Sequence, residues 1–197
     1  MIKYNIKAER ITGKSMSGSV HVEHQEEQYM PFSLIPCGVY DSIQDISPQK
    51  LAQKGIKLVL ADLDNTLVPY QVSEPTPEVF AWKQALEQEG IRLYLLSNSR
   101  KPVRPKHFAE MLGIPYQGHS GKPKKAGYLR AMERMNCNPE ETIMVGDQIF
   151  TDTLGAHNAG VRPLLVKPIR LAGNPGRYIR YAAETPMRLI GKGRAFV

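Results

Sequence analysis

Two carboxylates stand two residues apart directly after an apolar run of the chain. Residues 58–61, Leu-Val-Leu-Ala, lead into Asp62 and Asp64, and Thr66 follows two residues later. Alternate side chains of a strand point the same way, so both carboxylates can face one site at the strand's carboxyl end. Two such groups repel each other unless a divalent cation binds there or one of them is held protonated. The pattern therefore indicates metal or acid–base chemistry; the alternative is a polar turn, which Asp and Asn also favour.

Alternating strands and helices surround this pair and would have to position it. Apolar runs predict strands at residues 56–61, 91–96, 142–145 and 161–166. Helices are predicted at residues 77–90, 105–112, 123–136 and 151–158, the first of them opened by Thr76 as a cap and by Pro77. Such alternation favours a parallel sheet with right-handed crossovers. We therefore expect an α/β fold, a Rossmann-like parallel sheet sandwiched by helices.

Polar residues follow three of the predicted strands. They are Asp62, Asp64 and Thr66 after the first strand, Ser97 and Asn98 after the second, and Asp147 after the third, with Asp152 close behind. Lys122 stands at a predicted helix start between the last two groups. In parallel sheets ligands bind beyond the carboxyl ends of the strands, so these groups are expected to converge. Carboxylates, hydroxyls and a cation together are what phosphoryl transfer requires.

The same residues form four ordered motifs that resemble those of the haloacid dehalogenase superfamily of phosphatases, subfamily IIIA. They are Asp-Leu-Asp-Asn-Thr at 62–66, Ser97, Gly-Lys-Pro-Lys-Lys at 121–125 and Gly-Asp-Gln-Ile-Phe-Thr-Asp at 146–152. The resemblance spans residues 56–167. The residues of these motifs, together with those of the preceding segment 36–56, are similar to those of the YqeG-like branch of the superfamily. Some members of that branch are phosphatidylglycerophosphate phosphatases. The resemblance implies a hydrolase of phosphomonoesters.

The resemblance also implies how the carboxylates divide the work. Asp62 would attack phosphorus and become an aspartyl phosphate, while Asp64 would act first as general acid and then as general base, worth roughly 10²- to 10⁴-fold in rate. Mg²⁺ is the implied cofactor, held by the Asp62 carboxylate, the Asp64 backbone carbonyl and Asp147. Asp152 is expected to orient these ligands or to bind through water.

Four residues are implied as ligands of the phosphoryl group: Thr66, Ser97, the backbone N–H of Asn98, and Lys122. Lys122 would neutralise the charge on the phosphoryl group, with Pro123 fixing the start of its helix. Dehalogenation is disfavoured, because Asp64 supplies an acid that a phosphomonoester needs and a carbon–halogen bond does not.

The spacing of the motifs leaves no room for a separate cap domain. Ten residues separate Thr66 from Pro77, and 24 lie between Ser97 and Lys122. In this superfamily caps screen the site and favour small metabolites, so the resemblance implies an open mouth suited to bulky or surface-bound phosphates. The expected substrate is therefore a phosphomonoester, possibly lipid-borne, with phosphatidylglycerophosphate as the leading candidate.

All of the net positive charge lies near the end of the chain. The net charge is +7, and residues 162–197 carry eight basic residues against Glu184 alone, so residues 1–161 sum to zero. This asymmetry favours contact with a polyanion, and we expect an anionic membrane surface. The alternatives are a solvated tail and an RNA- or ribosome-associated protein with secondary phosphatase activity, although a recognised nucleic-acid module is lacking.

The composition predicts one domain with extensions at both ends. The 197 residues are 42% apolar, and no apolar stretch is long enough to span a bilayer. The two cysteines, Cys37 and Cys137, form no disulfide framework, which suits a reducing compartment. We expect a poorly ordered extension at 1–29, a phosphatase domain at 30–169 and a basic segment at 170–197, in a cytoplasmic protein that contacts the inner membrane face at most peripherally.

Overall fold

A six-stranded parallel sheet forms the centre of the protein. The computed structural model describes residues 33–99, 101, 103–170, 175–194 and 196, so the expectation for residues 1–29 lies outside them. The strands are β1 (Gly38–Tyr40), β2 (Leu58–Ala61), β3 (Arg92–Leu96), β4 (Tyr116–Gln117), β5 (Thr142–Gly146) and β6 (Arg162–Val166). Their order across the sheet is β1-β6-β5-β2-β3-β4, and every pairing is parallel. The predicted α/β architecture is confirmed.

Strand β2 lies in the middle of the sheet because its side chains are apolar on both faces. All four residues are buried; Val59 and Ala61 point into one apolar cluster, and Leu58 and Leu60 point into a second one on the opposite face. A strand buried on both faces reads as a continuous apolar run. This burial holds the end of β2, and hence Asp62, in a fixed position.

Helices cover both faces of the sheet. They are α1 (Pro48–Gln53), α2 (Pro77–Gln88), α3 (Val103–Leu112), α4 (Ala126–Met135), α5 (Leu154–Asn158) and α6 (Pro175–Lys192). Thr76 caps α2 as predicted, since its Oγ1 accepts a hydrogen bond from Val79 N at 3.4 Å. In the described residues the connection from β2 to α2 contains no further helix or strand pair, in agreement with a capless fold.

Two predicted helix starts differ from the observed ones. Helix α4 begins at Ala126 rather than at Pro123, so Lys122 lies in a loop before the helix. The helix expected at 151–158 is instead a π-helical turn over Ile149–Thr153 followed by the short α5. A widened turn of this kind is common at functional sites, and here it directly follows Asp147.

Helix α6 packs against the sheet edge with charged residues inward. Glu184, Arg188 and Gly191 are its buried residues, and a Cβ added at Gly191 would lie 2.5 Å from Pro36 Cγ. Only a glycine permits this close approach of the helix to the segment before β1. The basic segment that the sequence predicts at 170–197 is therefore helical over most of its described length and packed onto the domain. No helix among the described residues is long and apolar enough to cross a membrane.

Candidate active site

The carboxyl ends of three adjacent strands bring the predicted site residues together. Strands β3, β2 and β5 are neighbours in the sheet, and Ser97, Asp62 and Asp147 follow them directly. Thr66 Oγ1 donates to Asp147 Oδ1 at 3.3 Å, which connects the loop after β2 with the loop after β5. The geometry therefore gathers the acidic, hydroxyl and cationic groups at one edge.

Lys122 is buried between two carboxylates. Its Nζ lies 2.6 Å from Asp62 Oδ1 and 2.8 Å from Asp152 Oδ1, and 1% of its side chain is exposed. Burial alone would lower the pKa of Lys122, but the negative charges of Asp152 and Asp62 outweigh it and hold that pKa above its ordinary value. Lys122 is thus a fixed cation beside the candidate nucleophile.

The Asn98 side chain fixes the loop that carries Lys122. Asn98 Nδ2 donates to the Lys122 carbonyl at 2.9 Å, while Asn98 Oδ1 accepts from Lys122 N at 2.8 Å and from Ser120 Oγ at 2.7 Å. The sequence motif assigned a phosphate contact to the backbone N–H of Asn98; the structure adds a positioning role for its amide that the motif did not indicate.

Three buried carboxylates form a cluster suited to a divalent cation. One oxygen each from Asp62, Asp147 and Asp152 lies within 4.8 Å of the others. Burial, followed by the charges of Asp152 and Asp62, raises the pKa of Asp147 well above its ordinary value. Burial likewise raises the pKa of Asp152 to about 6, against the opposing charge of Lys122. When ionised, the three carboxylates outnumber the one ammonium group, and oxygen ligands are those that hard divalent cations prefer. The donor set therefore fits a metal ion.

Asp152 is itself a member of this cluster, whereas the sequence analysis expected it to orient the metal ligands or to bind through water. Its Oδ2 accepts a hydrogen bond from Gln148 N at 3.1 Å, and a Cβ added at Gly146 would lie 2.4 Å from that oxygen. The Tyr128 hydroxyl donates to the Asp152 carbonyl at 3.1 Å. A glycine at 146 thus provides the space in which the Asp152 carboxylate reaches both the cluster and Lys122.

Asp64 has a partner that the sequence analysis missed. Arg104 Nη1 donates to Asp64 Oδ1, and the same guanidinium is held by Val72 O, 2.9 Å from Nε, and by Pro69 O, 3.1 Å from Nη2. Burial raises the pKa of Asp64, and so does the charge of Asp62, while Arg104 opposes both; the net direction is upward. A carboxyl group with a raised pKa can carry the proton that a general acid needs. Arg104 lies 40 positions along the chain, so sequence spacing gave no signal for it.

Two residues of α6 hold the loop after β5, and the sequence analysis also missed these. The Glu184 carboxylate accepts hydrogen bonds from Ile149 N at 2.9 Å and from Phe150 N at 3.3 Å. Arg188 Nη2 donates to the carbonyl of Asp147 and lies 2.7 Å from Glu184 Oε2. The sequence feature that could have indicated this contact is Glu184, the single acidic residue in a basic segment. The pair ties α6 to the backbone of Asp147.

A cavity of about 610 Å³ opens above the carboxylates. Its buried part is formed by Asp62, Asp152 and Lys122, and its more exposed part is largely cationic. The outer lining includes Tyr70, Lys101, Arg104, Arg177 and Arg180. Such an arrangement favours a substrate that carries negative charge beyond the reacting group.

The motifs and their geometry agree with the comparison against protein families. A family model of the haloacid dehalogenase-like hydrolases matches residues 47–160. The chain belongs to the haloacid dehalogenase-like hydrolases. The expectations of an enzyme of this superfamily and of its α/β fold are confirmed.

Several relatives of this haloacid dehalogenase-like hydrolase are named phosphatases. The chain is 32% identical over 156 residues to "Probable phosphatase YqeG" of Bacillus subtilis (strain 168), which covers 79% of this chain and 89% of that protein. It is 28% identical over 176 residues to phosphatidylglycerophosphate phosphatase 1, chloroplastic/mitochondrial, of Arabidopsis thaliana, covering 85% of this chain. The match spans 49% of the Arabidopsis protein, so about half of that relative has no counterpart here.

Solved structures of phosphatases are similar to the haloacid dehalogenase-like chain at low sequence identity. The cobalt-bound deoxy-D-mannose-octulosonate 8-phosphate phosphatase of Haemophilus influenzae is 17% identical, with a TM-score of 0.45. The match covers 74% of this chain and 92% of that one.

Proposed function

We propose that this protein is a Mg²⁺-dependent phosphomonoester hydrolase that works through an aspartyl phosphate on Asp62. The observation that carries the proposal is the position of the Asp62 carboxylate at the buried end of the cavity, paired with Lys122 at 2.6 Å. A carboxylate held beside a fixed cation can attack phosphorus while that cation balances the charge of the transferred group.

In the first half-reaction Asp62 forms a bond to phosphorus and the bond to the leaving oxygen breaks. The proton held by Asp64 passes to that oxygen, so the product leaves with a neutral hydroxyl group rather than as an alkoxide. Asp64 lines the same cavity as Asp62, and its raised pKa favours the protonated form at the start. General acid catalysis of this kind contributes roughly 10²- to 10⁴-fold.

In the second half-reaction Asp64 takes a proton from water, whose oxygen attacks phosphorus and releases phosphate from Asp62. Thr66, Ser97 and Lys122 would hold the phosphate oxygens in both steps. Ser97 and Thr66 are buried beside the cluster, and Lys122 supplies the positive charge. The site returns to its starting state with Asp62 free and with Asp64 carrying the proton that it took from the attacking water.

The proposed ligands of Mg²⁺ are the Asp62 carboxylate, the Asp64 backbone carbonyl and Asp147. When bound, the ion supplies positive charge that lowers the cost of bringing an anionic phosphate to an anionic nucleophile. Asp152, paired with Lys122 at 2.8 Å, would keep the ammonium group oriented rather than act as a ligand itself. Arg188 and Glu184 would hold the Asp147 backbone in place.

The proposed substrate is phosphatidylglycerophosphate at an anionic membrane surface. The Arabidopsis relative named for that activity supports it, and so does the outward face of α6. Apolar side chains at Tyr178, Ile179, Leu189 and Ile190 are 51%, 73%, 66% and 53% exposed. Because an α-helix turns by about 100° per residue, these four side chains fall on one side of α6, together with Ala182, Ala183 and Pro186. The buried Glu184 and Arg188 lie on the opposite side.

This exposed apolar side of α6 has basic residues around it. Arg180 and Lys192 are exposed on the same helix, and Arg194 follows it. An apolar stripe with cations at its margins is typical of helices that lie in the interface of an anionic bilayer. Arg177 and Arg180, which line the catalytic cavity, lie on the opposite side of α6 from this stripe, so a membrane contact through the stripe would leave the cavity mouth one helix diameter, roughly 10 Å, from the lipid surface.

The catalytic proposal is tested by phosphate release and by trapping of the intermediate. Purified protein is expected to release phosphate from p-nitrophenyl phosphate and from phosphatidylglycerophosphate in mixed micelles when Mg²⁺ is present, and not when EDTA is present. Asp62→Asn is expected to keep its circular dichroism spectrum and to form no acid-stable phosphoenzyme from a ³²P-labelled substrate. Retained Mg²⁺-dependent turnover in Asp62→Asn would falsify the mechanism.

The membrane proposal is tested separately by flotation with vesicles of phosphatidylglycerol and phosphatidylcholine. Ile179→Ser and Leu189→Ser together are expected to reduce the bound fraction, while Leu129→Ser serves as the control because Leu129 is 44% exposed on α4. Equal flotation of all variants, or tighter binding to RNA than to vesicles at matched salt, would rule out this docking surface.

A further inference from the structure

Two arginines of α6 face the active-site cavity from its outer side. Arg177 and Arg180 are three residues apart, which places them on one side of the helix. Both line the cavity that contains Asp62, together with Tyr70 and Lys101. Since Asp62 is buried and Arg180 is exposed, the arginines lie at the mouth and the carboxylates at the floor.

The charges of these arginines are not paired at close range within the described part of the chain; the Asp64 carboxylate attracts Arg177 only at longer range. Neither arginine takes part in an ion pair there. Their contacts are with neutral groups: Arg180 Nη1 donates to Gln148 Oε1 at 2.5 Å, and the Arg177 guanidinium lies 5.2 Å from the centre of the Tyr70 ring. In the orientation of the Asn65 side-chain amide that gives both its oxygen and its nitrogen a hydrogen-bond partner, the Asn65 oxygen accepts a hydrogen bond from Arg177 Nη1 at 3.1 Å.

These neutral contacts orient both side chains, and most of their N–H donors have no partner among the described residues. A guanidinium carries five N–H donors in a planar fork that matches a phosphate group. Arg104, the third arginine of the cavity, differs because its fork is occupied by Asp64 and by the carbonyls of Pro69 and Val72. Only Arg177 and Arg180 among the three are arranged to receive a further anion.

We propose that Arg177 and Arg180, with the Tyr70 ring beside them, bind a second phosphate group located on the leaving alcohol of the substrate. The proposal rests on the proposed function, because Asp64, which would protonate the leaving oxygen, lines the same cavity as both arginines. The substrate class is then a phosphomonoester whose alcohol carries another phosphate. That group is either the phosphodiester of a lipid headgroup or a second monoester on a soluble molecule.

The expected effect is a gain in kcat/KM from the second phosphate. One well-oriented guanidinium–phosphate contact, partly exposed to water, is worth about tenfold in affinity. The gain should appear mainly in KM, because the contact is made equally in the bound substrate and in the transition state.

The first experiment compares matched pairs of water-soluble substrates with the Mg²⁺-loaded enzyme. Deacylated phosphatidylglycerophosphate is compared with glycerol 1-phosphate, and fructose 1,6-bisphosphate with fructose 6-phosphate. Within at least one pair, the compound with two phosphates is expected to have the higher kcat/KM by about tenfold or more. A preference in the first pair alone indicates a lipid headgroup, and one in the second pair alone a soluble bisphosphate.

Variants then assign the preference to the two arginines. Arg177→Gln and Arg180→Gln are each expected to lower kcat/KM for the preferred compound about tenfold more than for its single-phosphate partner. Arg130→Gln, an equal charge change on the exposed side of α4, is the control and should leave both values unchanged. The same kcat/KM within both pairs, or equal losses for both members of a pair, overturns the proposal.

A binding measurement separates this proposal from the proposed function. Calorimetry on Asp62→Asn should show that deacylated phosphatidylglycerophosphate binds more tightly than glycerol 1-phosphate, and that adding Arg177→Gln removes most of this difference. If the difference is seen but no substrate is turned over, the proposed function fails and the second-phosphate site stands. If phosphomonoesters are hydrolysed and the two ligands bind equally, the second-phosphate proposal fails and the proposed function stands.

Discussion

Lys122 Nζ lies 2.6 Å from Asp62 Oδ1, so the candidate nucleophile is directly paired with a buried cation. The same ammonium group lies 2.8 Å from Asp152 Oδ1. It is therefore the group that offsets repulsion within a cluster of three carboxylates.

Replacing Lys122 by Met should destabilise the metal-free protein. Three buried carboxylates would then lack their cation, at a cost of about 3–5 kcal/mol. Added Mg²⁺ should restore part of this stability, because a divalent ion relieves the same repulsion, while turnover falls by about 10²-fold or more. Urea denaturation in EDTA and in Mg²⁺ measures both states. Lys124→Met, at an exposed position two residues on, is the control; unchanged stability of Lys122→Met in EDTA would contradict the prediction.

Replacing Arg104 by Met should affect substrates according to their leaving group. Arg104 holds the Asp64 carboxylate, and a mispositioned acid matters most when the leaving oxygen needs a proton. We expect kcat/KM to fall about tenfold or more for an alkyl phosphate and much less for p-nitrophenyl phosphate. Lys101→Gln, which removes a charge from the same cavity without a contact to Asp64, should not change the ratio. Equal losses on both substrates would show that Arg104 serves only binding or folding.

Replacing Arg188 by Met should weaken both folding and metal binding. The change leaves the buried Glu184 carboxylate unpaired, which costs about 3–5 kcal/mol. It also removes the donor to the Asp147 carbonyl, and loss of such support typically lowers metal affinity about 10- to 100-fold.

A double variant separates these two effects of Arg188. Glu184→Gln with Arg188→Met removes the unpaired charge while an amide oxygen still faces Ile149 N, so stability should recover and Mg²⁺ affinity should not. Thermal unfolding and calorimetric Mg²⁺ titration are the two readouts. Recovery of both quantities together would mean that Arg188 does not position Asp147.

Replacing Gly146 by Ala should displace Asp152. The added Cβ would lie 2.4 Å from Asp152 Oδ2, and such overpacking typically costs about 1–3 kcal/mol. The displaced carboxylate would lose its contact with Lys122, so turnover should fall as well. Gly118→Ala is the matched control, since the nearest atom to its Cβ would be Ser99 O at 3.9 Å. Wild-type melting temperature and turnover in Gly146→Ala would refute the steric argument.

Local sequence pattern was sufficient to predict the central strands and the residues at their ends. Strand β2 is apolar at every position because it is buried on both faces, and that run stops abruptly at Asp62. Helix α2 carries its start signal in Thr76 and Pro77. Strands β1 and β4 were missed because three and two residues are too few to show a period.

The parts of the site that were not predicted depend on contacts between distant segments. Arg104 meets Asp64 across 40 positions and Arg188 meets Asp147 across 41, and nothing in the local spacing of either residue indicates such a partner. Helix α6 was missed for a different reason. Pro186 lies in its interior, and a proline normally ends or kinks a helix, so the helical period of the apolar residues on either side of it was not recognised.

The two hydrogen bonds that Glu184 accepts from Ile149 N and Phe150 N tie α6 to the loop that presents Asp147. Removing residues from 170 onward would leave these backbone N–H groups without their acceptor, next to the loop that presents Asp147. If the Asp147 site binds its ion more tightly when α6 is docked, a ligand that binds only the docked form of α6 must increase the affinity for the ion, and the ion must increase the affinity for that ligand by the same factor.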